Sequence, residues 1–195
     1  MTKYILHGGE ISRPSVHNQN YFREMVMGLA EPIKILLVYF AREKNRWREF
    51  MDYDTEKFKG AANGKKVECV LANNNLAKLL SQVKQSDIIY IIGGRDKALQ
   101  KGFDGLGDLG KLFHGKVVAG SSAGANMLGR YYYDIERERV ERGLDVLPIK
   151  VISHYKGSKY AGNDQARVEL LRSHGEDLKI YTLPETEYFV VEQSP

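Results

Sequence analysis

The chain has 195 residues, with 29 Lys and Arg against 25 Asp and Glu, for a formal charge of +4, and a single cysteine. That length is enough for one domain spanning residues 1–195 with a sizeable buried core. The small positive excess is spread along the chain without a basic block, zinc-finger spacing or aromatic RNA-reading motif, which argues against a dedicated nucleic-acid binder. Cys69, alone, rules out an intrachain disulfide. Met1–Leu6 lacks a secretory apolar core and no apolar run reaches membrane-spanning length, so a cytoplasmic protein without membrane contact is expected.

Short apolar runs of strand length alternate with longer amphipathic stretches. This is the sequence form of an α/β protein, a three-layer α/β/α arrangement around a mostly parallel sheet. The first predicted strand, Lys3–Leu6, is followed by His7-Gly8-Gly9 and a helix over Asn18–Leu29. Strand Ile33–Phe40 leads into helix Arg42–Phe58, and strand Lys66–Leu71 carries Cys69, read as a buried structural thiol. Helix Leu76–Ser81 precedes strand Ile88–Ile92, which runs into Gly93-Gly94-Arg95-Asp96 and a short helix around Lys97–Gln100. Strand Val117–Ala119 comes next. Tyr131-Tyr132-Tyr133 reads either as cleft lining or as one buried ring flanked by two at the surface, and the alternating charges of Ile135–Arg142 read as a solvated helix face. Strand Pro148–Ser153, helix Gln165–His174 and strand Lys179–Leu183 complete the series. Parallel strands end on one edge, so chemistry is expected in the loops there.

The run ending Gly120-Ser121-Ser122-Ala123-Gly124 has the form G-x-S-x-G, which in several hydrolase folds presents a serine on a cramped strand-to-helix turn. Gly120 and Gly124 stand where a Cβ would collide with the opposite arm of that turn, and Ala123 opens a helix whose free N–H groups face developing negative charge. Ser122 is the candidate nucleophile. The competing reading is a small-residue turn that lets a helix pack closely on a sheet. A serine needs a base, and a base needs an orienting acid. Of five histidines, His154 lies at the C-terminal end of a predicted strand, and Glu185 has the equivalent place after the next one. Gly94 N–H paired with Ala123 N–H would form an oxyanion hole, although paired glycines after a strand are also ordinary turn residues.

Taken in order, Ile91-Ile92-Gly93-Gly94, Gly120-Ser121-Ser122-Ala123-Gly124-Ala125-Asn126, Ser153-His154-Tyr155 and Leu183-Pro184-Glu185 resemble the peptidase E (aspartyl dipeptidase) and cyanophycinase family of serine peptidases. The resemblance covers nearly the whole chain. It implies a fold related to class I glutamine amidotransferases, with Ser122 as nucleophile, His154 as general base, Glu185 as orienting acid, and Gly94 and Ala123 as oxyanion donors. Asp134 matches an aspartate considered as an alternative acid. The implied reaction is hydrolysis of a small peptide through an acyl-enzyme, with no metal and no organic cofactor. The histidines, which lack HExxH spacing and Cys/His pairing, agree.

The chain also departs from the family pattern. Arg95 and Asp96 replace the glycine and asparagine of the aspartyl dipeptidases after the paired glycines, and the substrate-reading arginine of those enzymes aligns with Asn163 or Asp164. Neither offers the planar cation a carboxylate prefers, which leaves Arg95, Lys156 or Lys159 as substitutes. After Glu185 the chain continues for ten residues where longer relatives add further strands, and an open sheet edge covered by a second copy, a homodimer, is an expectation. Two rivals remain. An esterase-like hydrolase is disfavoured by chain order, because His154 precedes Glu185, and a catalytically silent binding module is disfavoured by the presence of all the parts together.

Overall fold

The structure, a computed structural model, describes residues 1–193. The chain begins with strand β1 (Thr2–His7), helix α1 (Val16–Val26), strand β2 (Ile33–Val38) and, after a 3₁₀ turn at Lys44–Arg46, helix α2 (Trp47–Ala61). Strand β3 (Val67–Leu71), helix α3 (Leu76–Gln85), strand β4 (Ile88–Ile91), helices α4 (Asp96–Phe103) and α5 (Leu109–Leu112), and strand β5 (Val117–Ser121) follow. Helix α6 (Ala123–Leu128), strands β6 (Gly129–Asp134), β7 (Arg139–Arg142) and β8 (Leu147–Tyr155), helix α7 (Asp164–Ser173), and strands β9 (Ile180–Pro184) and β10 (Tyr188–Gln193) complete the order.

The central sheet has the order β10-β1-β5-β4-β2-β3, parallel throughout except for β10. Its strands are apolar on both sides, and their residues alternate between two cores with the period of two that a pleated strand imposes. Ile33, Ile35, Leu37 and Tyr39 pack with α1 and α2, whereas Leu36, Val38 and Phe40 pack with α3, α4 and α5. Helices thus cover both faces, the expected α/β architecture. Ser15, Asn75, Asp108 and Asn163 cap α1, α3, α5 and α7, each accepting from a first-turn amide.

A second sheet, in the order β7-β6-β8-β9, lies beyond α6. All six residues of α6 are buried, and Leu147, Ile149, Val151 and Leu183 of the second sheet share one core with α6 and the central sheet. Two expectations from sequence are corrected here. Strands Pro148–Ser153 and Lys179–Leu183 form, but in this second sheet. The charged run Ile135–Arg142 is no helix: it is the turn and return strand of a β6–β7 hairpin, with Tyr131 opposite Arg142 and Asp134 opposite Arg139. Its charges alternate at two-residue spacing, so Arg139 and Glu141 share a face and pair there, while Val140 packs inward beside Tyr133. Two rings of the tyrosine run are buried, Tyr132 and Tyr133, and they belong to different cores.

Strand β10 is the other departure. It pairs antiparallel with β1 along six residues and so covers the edge that the sequence leaves open after Glu185. The 3₁₀ turn shortens the helix expected to start at Arg42, and α3 extends beyond its expected end. No helix among the described residues is long and apolar enough to cross a membrane.

Candidate active site

Strands β1, β2, β4 and β5 of the central sheet and β6 and β8 of the second deliver their C-terminal ends to one cleft of about 580 Å³, which is lined by Gly9, Gly94, Ser122, Ala123, Tyr132 and His154 among others. Strand β5 ends at Ser121, and Ser122 follows with φ 55° and ψ −120°, a backbone conformation rarely adopted by a residue with a Cβ. The turn is as tight as its glycines require: a Cβ on Gly120 would lie 2.4 Å from the carbonyl oxygen of Gly124. The turn directs Ser122 Oγ to within 2.9 Å of His154 Nε2. His154 Nδ1 lies 3.1 Å from Glu185 Oε1. Serine, histidine and glutamate thus form one hydrogen-bonded line, contributed by β5, β8 and the end of β9.

The extension of β1 holds that line together through its backbone. Three successive carbonyls, those of His7, Gly8 and Gly9, accept the amides of Ser122, His154 and Thr186 at 2.9, 2.8 and 2.9 Å. Each loop that carries a member of the line is therefore fixed to the same three-residue ruler. Gly9 also lets the imidazole lie against the backbone, since a Cβ there would stand 2.3 Å from His154 Cε1, and its φ of +112° favours glycine. His7-Gly8-Gly9, which in the sequence echoes an oxyanion motif, serves as a platform for the His154 ring. What Gly9 faces is set by the fold alone, because His154 is 145 positions away in the chain.

Beneath the platform lies a buried polar pair. Gly9 N–H donates to His7 Nδ1 at 3.1 Å, which places the His7 proton on Nε2, where it donates to Asn18 Oδ1 at 2.8 Å. Burial lowers the His7 pKa to about 4, so the ring is neutral. The Asn18 amide donates in turn to the carbonyls of Glu10 and Arg13.

Glu185 is flanked on its other side by Arg13, whose Nη2 donates to Oε2 at 2.9 Å. Burial on its own would raise the Glu185 carboxyl, but hydrogen bonds from His154 and Arg13 outweigh it and hold the group below the ordinary carboxylate range. Glu10, His154 and Glu185 bring donor atoms within 4.8 Å of one another. The Arg13 guanidinium already supplies positive charge among them, 3.8 Å from Glu10. Sequence reasoning missed Arg13, which is a surface arginine in a loop until β9 brings Glu185 beside it.

Ala123 N and Gly94 N have no acceptor among the described residues, and both belong to residues lining the cleft. Gly93 lets the loop after β4 pack against the Ser122 turn: a Cβ there would fall 2.7 Å from Ser122 Cβ and 2.9 Å from Ala123 N. Asp134 is occupied elsewhere. Its carboxylate caps the amides of Glu136 and Arg137 and pairs with the Arg137 guanidinium at 2.7 Å, while the Nδ1 of His154 is taken by Glu185. Arg137 also binds Asp96, which accepts from Tyr132 at 2.6 Å.

Arg95 lines the cleft and pairs with Glu43 at 3.0 Å. Asn163 and Asp164 do not line it; Asn163 caps α7 and Asp164 pairs with Arg167. Their place as the first residues of a helix on the outer face of the second sheet accounts for this. Lys156 lies over the Tyr155 ring, and the Lys159 side chain is outside the described set. Also along the cleft, Arg42 and Arg46 both lie over the Phe50 ring, at 5.3 and 4.7 Å. The sequence offers no sign of that aromatic shelf, because Phe50 joins the cleft only through the orientation of α2.

The sequence model of Peptidase family S51 matches residues 5–194 of the chain. Among solved structures, a peptidase from an acI-B1 Actinobacterium shares 20% identity at a TM-score of 0.65, over 98% of this chain and 83% of that one. A protein provisionally assigned as peptidase E from Listeria monocytogenes EGD-e shares 17% identity at a TM-score of 0.64, over 100% of both chains. No curated protein matches the chain in sequence.

Proposed function

The chain belongs to peptidase family S51 and is a serine-type peptidase, and from that premise we propose that Ser122, His154 and Glu185 carry out the hydrolysis of small peptides. The observation that carries this reading is the continuous line from Ser122 Oγ through His154 to Glu185, at 2.9 and 3.1 Å. In the first step Ser122 Oγ attacks the scissile carbonyl while His154 Nε2 takes its proton, and Glu185 stabilises the imidazolium that forms. The amides of Gly94 and Ala123 receive the charge that builds on the carbonyl oxygen. His154 then gives its proton to the leaving amine, which departs and leaves the acyl group on Ser122. Water, deprotonated by His154, attacks that ester, and the collapse of the second intermediate returns the proton to Ser122.

A cleft of about 580 Å³ accommodates a short peptide rather than a folded chain. Among the described residues, Arg95 is the substrate-side cation proposed from sequence that lines it. A homodimer through the outer edge of β10, where Phe189 and Val190 are exposed, belongs to the same proposal, and size-exclusion chromatography tests it. The test of the activity is a dipeptide and isopeptide library incubated with the wild type and with Ser122→Ala. Cleavage by the wild type alone supports the reading, and equal cleavage by both proteins overturns it.

A further inference from the structure

The strongest feature not absorbed by the proposed reaction is the loop between β1 and α1. It carries Arg13 to the far side of Glu185, and it is held from below. Asn18 Nδ2 grips the Arg13 carbonyl at 2.7 Å and the Glu10 carbonyl at 3.0 Å, while neutral His7 fixes the orientation of the Asn18 amide. The loop cannot drift without breaking hydrogen bonds to buried groups, which is costly. Arg13 therefore meets Glu185 from a braced backbone although half of its side chain is exposed.

A carboxylate has two oxygens, and an orienting acid needs one of them aimed at the imidazole. Glu185 Oε1 faces His154 Nδ1 at 3.1 Å, and Oε2 accepts from Arg13 Nη2 at 2.9 Å. With both oxygens held, the carboxylate plane is fixed and rotation about its last torsion is blocked. We propose that Arg13 is a positioning residue of this peptidase, acting through Glu185 to set the orientation of His154. This rests on the reading of Ser122, His154 and Glu185 given above. The charged groups facing the His154–Glu185 pair are Arg13 and Glu10, with Glu136 reached through Tyr160 and His7 lying behind Gly9.

The test uses the full chain and a fluorophosphonate probe, whose rate of reaction with Ser122 reports activation of the hydroxyl without knowledge of the peptide substrate. Arg13→Met is expected to slow labelling by about tenfold, the size of effect that follows from losing one charge-assisted hydrogen bond. Arg13→Lys, which keeps the charge and loses the planar guanidinium, should recover part of the rate. In a Glu185→Gln background Arg13→Met should add no further loss, because the group it acts through is already changed. Wild-type labelling by Arg13→Met, or its full cost persisting in the Glu185→Gln background, would overturn the proposal. Failure of the wild type to label at Ser122 would instead overturn the reading on which it rests.

Discussion

The two sheets hold their residues in different ways. The central sheet is apolar on both faces, and nearly every side chain of β1, β2, β4 and β5 is buried in one of two cores. The second sheet buries one face against α6 and gives the other to α7, and its hairpin strand β7 carries Arg139, Glu141 and Arg142 at or near the surface. The first supplies the hydroxyl; the second supplies the imidazole and the carboxylate. Neither contains the site. It exists where the carbonyls of residues 7–9 tie the two together, and backbone strain gathers at that seam: Glu10, Ser122, His154, Lys156 and Thr186 all have positive φ. Conformations of this kind cost about 1–3 kcal/mol each and persist only where the surroundings enforce them.

The sharpest way to break the comparison is at the hydroxyl. In Ser122→Ala peptide turnover is expected to fall by at least about 10⁴-fold with the melting temperature unchanged, since the buried framework of the central sheet loses only one oxygen. Comparison of steady-state rates with thermal unfolding curves checks both parts. Glu185→Gln acts from the second sheet and should cost about 10³-fold in kcat, because an amide in its place no longer stabilises the imidazolium. Substrate saturation curves would show KM little changed.

Gly9→Ala strikes the seam itself. Its Cβ would intrude on His154 and its φ of +112° would be strained, so a loss of about 10²-fold in kcat/KM is expected. Gly28→Ala is the matching control: its φ is +78° but nothing lies within 4 Å, so activity should hold while stability drops slightly. If both variants lose activity equally, strain alone, and not the approach to His154, is responsible.

The smallest effect is on stability against pH. Burial raises the Asp54 carboxyl on α2 from 3.8 to about 7, while burial lowers His7 beneath the seam from 6.5 to about 4. For Asp54 the folded value lies above the unfolded one, so its contribution is present at low pH and lost as pH rises from about 4 to 7. For His7 the folded value is depressed, so stability is lost as pH falls from about 6.5 to 4. Over that window the two slopes oppose each other. Asp54→Asn removes one of them, and its stability should fall relative to the wild type by about 3 kcal/mol between pH 6.5 and pH 4. Urea unfolding at the two pH values measures it, and parallel behaviour of the two proteins would refute the assignment.

Much of this was legible before the fold. The strands of the central sheet are short apolar runs bounded by turns, and G-x-S-x-G carries its own local geometry, so Ser122 and the glycines around it follow from contacts only a few residues apart. His154 and Glu185 could be proposed because each ends an apolar run. The charged run at Ile135–Arg142 misled, since alternation at two residues and at helical spacing overlap in so short a segment, and pairing with β6 decides between them. Asn163 and Asp164 stand in the loop after β8, at the edge that carries the site, and only the fold shows that this loop takes them into the start of α7 and out of the cleft.

Local chemistry, then, was written in the order of residues: where strands begin, where the chain must turn, and which side chains stand at strand ends. Long-range placement was not. The split into two sheets, the three carbonyls that bring their loops together, the imidazole resting on Gly9 and the guanidinium behind Glu185 all join residues distant in the chain, Arg13 and Glu185 by 172 positions. Such contacts depend on how layers pack and which loops share an edge, and no short window of sequence holds that information.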